Sequence, residues 1–136
     1  MPNEIKIQLC QVSTSTSEAT IRNHHILIDR PIPKDGADMG PMGGELFLAA
    51  VGGCFMSNLL AAIRARGAEV SNVRIEVTGT LSDAPVRFAA IDLSVSADEN
   101  DRELFERLVE IADRGCIMMN TLRGKLDVRL RIGVSV

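Results

Sequence analysis

GGELFLAAVGGCFMSNLLAAI, residues 43–63, is the stretch on which the fold turns. From Leu46 to Ile63 it carries no charge, and by length alone it reaches the roughly 18 apolar residues of a membrane span. Gly52, Gly53, Ser57 and Asn58 interrupt it, and Arg64 and Arg66 end it at once. It therefore reads as the buried helix of a globular domain, with no membrane expected. A thiol, Cys54, sits mid-helix beside two glycines, each of which weakens a helix by about 1 kcal/mol relative to Ala. Ala49, Gly53 and Ser57 recur at intervals of four, a small-residue spacing that lets a second backbone come close. Because the helix is apolar nearly all round, a sheet covers only one side of it, and a second copy of the chain is the economical cover for the rest.

Upstream, NEIKIQLCQ (residues 3–11) alternates Ile5, Ile7 and Leu9 with polar neighbours, the pattern of a half-buried strand. TSTSE (14–18) reads as a turn, and ATIRNHHILID from Ala19 as a second strand completing a hairpin. RPIPKDGADMGPMGG (30–44) is a loop by its prolines and glycines. Downstream, VSNVRIEVTGTL and VRFAAIDLSVSA alternate on either side of the turn SDAP, a second hairpin. Asn100 suits an N-cap for DRELFERLVEIADR, with Glu103 completing an approximate capping box and Leu104, Leu108 and Ile111 forming the apolar stripe, Phe105 and Val109 beside it. Gly115 suits its C-terminus. KLDVRLRIGVSV closes the chain as a strand with Leu126, Val128, Leu130 and Ile132 inward. The order predicts an α+β fold: one largely antiparallel sheet of about five strands, a long central helix and a second helix.

At 136 residues the chain is sized for a single domain, 1–136, with one core. Four Phe, no Trp, no Tyr and a net charge of -3 supply neither stacking faces nor a basic surface, which argues against a nucleic-acid partner. His24 and His25 are adjacent and point to opposite faces of a strand, and no paired Cys/His spacing typical of zinc exists, so no metal is expected. DGADMGPMGG lacks the Lys-Ser/Thr of a phosphate loop. No cofactor is expected.

The opening MPNEIKIQLC has no apolar segment of an export signal, so the expected compartment is the reducing cytoplasm, where a cysteine pair would be redox-active or catalytic. Of the three cysteines, Cys10 lies near the chain end on the polar face of an edge strand and reads as incidental. Cys54 alone is most simply a small core residue. Cys116 follows Gly115 and opens CIMMNTL, a short helical turn whose free amides would favour a thiolate.

DMGPMGGELFLAAVGGC, followed 62 residues later by CIMMNTL, resembles the OsmC/Ohr family, the osmotically induced and organic-hydroperoxide-resistance proteins. The matching residues are Asp38, Gly40 and Pro41 in the loop, Glu45 and Leu46 at helix entry, Ala49, Ala50, Gly53 and Cys54, then Cys116, Asn120, Thr121 and Leu122. The resemblance implies an OsmC-like fold as an intertwined homodimer. It also implies a thiol peroxidase for organic hydroperoxides, with Cys54 the peroxidatic residue and Cys116 resolving its sulfenic acid as an intrachain disulfide. An external dithiol reductant such as dihydrolipoyl groups would regenerate it. An arginine held by a carboxylate would favour the thiolate; Arg22 and Arg30 both lie where the family draws it. Gly44 occupies the helper-glutamate position of the organic-hydroperoxide subgroup, and Glu45 fits the broader OsmC-like subgroup instead. Glu45 reads equally as a catalytic carboxylate and as a helix-start carboxylate favoured by the dipole. The alternative function is a non-catalytic dimer of the same fold that binds a small apolar ligand.

Overall fold

In a computed structural model describing residues 3–133, the charge-free stretch is one helix, α1, Gly43–Arg66. The chain divides after Phe47 into two compact units, the first turn of α1 belonging to the first and the remainder to the second.

The first unit holds β1 (Gln8–Gln11), β2 (Ser17–Ile21) and β3 (His24–Ile28), an antiparallel sheet in that order. Two expectations need correction. The second strand is itself a hairpin: it breaks at Arg22–Asn23, with Arg22 at φ 55°, the positive value that tight hairpin turns require. The first strand is shorter than its alternation suggests, because Gln8 pairs with Thr20 and anything before Ile7 would need a partner past that turn. Ile5, Ile7 and Leu9 are consequently exposed on the single chain, Ile5 by 88%.

The loop that follows contains a 3-10 turn, Ile32–Lys34, and closes tightly on β3. A Cβ at Gly36 would lie 1.9 Å from the Arg30 carbonyl oxygen, and one at Gly40 2.1 Å from that of Leu27, so glycine is required by backbone approach. Asp29, 3% exposed, organises the segment. Its carboxylate accepts from the Thr16 hydroxyl (2.8 Å) and from the amides of Arg30 (2.7 Å), Met39 (3.2 Å) and Ala37 (3.3 Å).

The second unit is built on a long antiparallel hairpin, β4 (Val70–Ser82) and β5 (Arg87–Glu99). β6 (Asp127–Ile132) joins the far side of β5 in parallel, as a strand reached through a helical crossover can. The expected single sheet is therefore two sheets of three strands, with one parallel pair. Ile91, Leu93 and Val95 of β5 are fully buried with Val51, Phe55 and Leu59 of α1. A Cβ at Gly52 would meet Val77 Cγ2 at 2.8 Å, so the helix lies close to the sheet at Gly52. Gly53 has open space beside it, and the face bearing Ala49, Gly53, Ser57 and Leu60 is exposed on the single chain. By length and composition α1 could cross a membrane; 28% of its most apolar window is buried in the protein.

α2 is Arg102–Gly115 and α3 is Ile117–Leu122. The cap of α2 is Asp101, not Asn100: its carboxylate accepts from the Leu104 amide at 3.0 Å, while Asn100 donates to Glu69 at 3.0 Å. With the start moved one residue on, Glu103 sits too early to close a capping box and pairs with Arg107 instead. The buried face is Phe105, Leu108, Val109 and Ala112, leaving Ile111 on the exposed flank. β6 alternates as expected, with Val128, Leu130 and Ile132 half-buried.

Candidate active site

Two segments of the second unit carry the cysteines. Cys54 lies at mid-length of α1, half-buried; Cys116 lies in the single-residue joint between α2 and α3, fully buried. The joint is held by backbone and side-chain bonds. The Cys116 amide donates to the Asp113 carbonyl (3.3 Å), the Cys116 carbonyl accepts from the Asn120 amide (2.9 Å), and the Asn120 side chain donates to the Arg114 carbonyl (3.0 Å). Asn120 thus stitches the start of α3 back onto the end of α2. Arg123 pairs with Asp113 across the same corner.

This places the Cys116 sulfur 3.3 Å from the Cys54 sulfur, both as free thiols, with the Cys116 S–H donating. A disulfide needs about 2.05 Å, so a movement of roughly 1 Å would join them. Burial pushes the Cys116 thiol up, and the neighbouring Cys54 adds to that; the amides of Met119 and Met118 act in the opposite direction without overcoming it. The amide-stabilised thiolate expected at Cys116 is thereby corrected: desolvation wins, and this residue is a protonated donor near neutral pH.

Asn58 completes the immediate surroundings. One turn along α1 from Cys54, its side chain leans toward the helix N-terminus as helical side chains do. Its Nδ2 donates to the Cys54 carbonyl at 2.9 Å and lies 4.0 Å from the Cys54 sulfur. The readable signal was an amide at i+4 from a thiol within a charge-free helix.

The remaining candidates lie in the first unit. Glu45 accepts from the Met42 amide at 2.8 Å, a helix-start carboxylate in its observed contact. Arg22 occupies the β2–β3 turn and Arg30 the first loop position, both exposed. Cys10 is exposed on the edge strand β1, opposite Glu18. His25 approaches Glu18 (3.7 Å) and Thr20 (3.3 Å). Among the described residues no group of three or more His, Cys, Asp or Glu is assembled to hold a metal ion.

Residues 35–131 match the family described as OsmC-like protein, and the chain belongs to that family. Among curated proteins it is similar to the uncharacterized protein YmaD of Bacillus subtilis, 23% identical over 86% of this chain and 85% of that one. The solved OsmC-like protein of Mycoplasma pneumoniae superimposes with a TM-score of 0.85 at 19% identity, covering 100% of this chain and 99% of that one. The organic hydroperoxide resistance protein OhrB of Bacillus subtilis does so at 0.70 and 22%, covering 96% and 98%. These likenesses show an OsmC-like α+β fold.

Proposed function

We propose that this protein is a thiol-dependent peroxidase that reduces organic hydroperoxides through Cys54 and Cys116. The observation that carries the reading is the 3.3 Å separation of a half-buried and a fully buried thiol brought from positions 62 residues apart. Membership in a family that includes organic hydroperoxide resistance proteins supports a peroxide-related redox role.

The Cys54 thiolate attacks the distal oxygen of the hydroperoxide. The O–O bond breaks, the alkoxide leaves and is protonated to an alcohol, and Cys54 becomes a sulfenic acid. The Cys116 sulfur then attacks the Cys54 sulfur, the S–O bond breaks, and hydroxide departs as water with the Cys116 proton. Because the thiolate is the attacking form, the Cys116 proton passes to the departing hydroxide as the S–S bond forms. A dithiol, dihydrolipoyl groups in the favoured case, returns two electrons and two protons. In this reading the arginine and carboxylate that the family resemblance implies are drawn from Arg22, Arg30 and Glu45. The protein works in the cytoplasm as a homodimer, and the exposed small-residue face of α1 is the surface that pairing would cover.

Cys54→Ser should abolish dithiol-driven consumption of cumene hydroperoxide. Cys116→Ser should retain one oxidation of Cys54 per chain, seen as a dimedone adduct by mass spectrometry, while losing turnover. A wild type that consumes no hydroperoxide with either dihydrolipoamide or dithiothreitol removes the reading.

A further inference from the structure

Asn58 stands between the two segments that bear the sulfurs. Its Nδ2 binds the Cys54 carbonyl at 2.9 Å and reaches the Cys54 sulfur at 4.0 Å. On the other side its Oδ1 faces Gly115, 3.4 Å from where a Cβ on that residue would stand. Gly115 is the residue immediately before Cys116. A single carboxamide therefore bonds the backbone beside one cysteine and stands next to the residue that precedes the other.

We infer that Asn58 is a positioning residue for the thiol pair: it fixes α1 against the α2–α3 joint so that the two sulfurs face each other. The inference rests on the redox reading of that pair. Four arguments from the geometry support it. A half-buried amide within the uncharged run 46–63 carries a desolvation cost that hydrogen bonds offset. Alanine or leucine at this place would satisfy the helix equally well. A donor shared between the Cys54 carbonyl and sulfur limits the rotation of the Cys54 side chain. A side chain at position 115 would come against the Asn58 carboxamide, so the two segments approach closely here, and bonding of the sulfurs requires a movement of only roughly 1 Å.

The test is the closure equilibrium of the Cys54–Cys116 disulfide in glutathione buffers, read by mass spectrometry after acid quench and alkylation. Each closed bond takes its oxidising equivalents from glutathione disulfide, which is released as two glutathione thiols. The equilibrium constant is then the effective concentration of one thiol at the other, a quantity independent of any peroxide. Cys10→Ser is the background, to exclude crossed pairs. Asn58→Ala should lower the effective concentration about fivefold or more, the worth of one hydrogen bond lost from the closed geometry. Asn58→Asp keeps size and one oxygen but loses both N–H donors and should fall with it; the melting temperature of each variant establishes that it is folded. Folded variants within twofold of the parent overturn the inference and leave the peroxidase reading intact. If Asn58→Ala does not fold, Asn58→Asp decides in the same way. A parent that forms no disulfide at any glutathione ratio overturns both.

Discussion

A single carboxylate, Asp29, draws donors from Thr16 behind it and from Arg30, Ala37 and Met39 ahead of it. Burial alone would raise its pKa, but the Thr16 hydroxyl and the amides of Arg30 and Met39 outweigh burial and lower it from 3.8 to about 2. A pKa lowered on folding contributes stability above the unfolded value, and that contribution is lost as pH falls through the folded one. Unfolding followed by far-UV circular dichroism, needed because the chain has no Trp or Tyr, should show wild type weakening between about pH 4 and pH 2. Asp29→Asn should start less stable at neutral pH and be flatter across that window. Equal slopes for the two would mean that the carboxylate charge is not what the loop depends on.

At the scale of elements, glycine and cap positions decide how the pieces fit. Gly52→Ala drives a Cβ to 2.8 Å from Val77 Cγ2. Overpacking of this kind costs about 1–3 kcal/mol by urea denaturation, and Val77→Ala should restore most of it, a coupling absent if the two sites act independently. Asp101→Ala should cost about 1 kcal/mol through loss of the α2 cap, and Asn100→Ala less. The opposite ranking would place the cap one residue earlier. These particulars show what the chain reveals by itself. The helix α1 is legible as a long uncharged run, whereas periodicity locates the β4–β5 hairpin, α2 and β6 because each turns one regular face inward. It merged β2 with β3, since TIRNHHIL alternates through its own turn and the positive φ of Arg22 is written in no Gly or Pro. It also missed the division into two sheets, because which strand edges meet depends on contacts far apart in the chain. Cys54 and Cys116 were legible from their motifs. Asn58 reads in the sequence only as a polar interruption of the apolar run, and its position beside Gly115 depends on how α2 ends.

For the whole molecule, the open face of α1 is the feature that a lone chain leaves unexplained. Ala49, Gly53 and Ser57 line it, Leu60 is 45% exposed, and a Cβ at Gly53 would touch nothing of its own chain. If two copies pair across this face, Gly53→Glu should convert a dimer to a monomer in sedimentation velocity while Gly53→Ala has a far smaller effect. A wild-type monomer at tens of micromolar would instead leave α1 uncovered in solution. The seclusion of Cys116 has its own outcome for the recharging half of any cycle. Once the sulfurs are joined, an arriving reductant finds only the Cys54 end open to collision, so it must bond there and expel Cys116. Because burial makes Cys116 a reluctant leaving group, the handoff is slow unless a proton arrives with it. In the proposed cycle, reduction would therefore have a fixed polarity, the transient adduct with the reductant forming on the long helix and not at the corner.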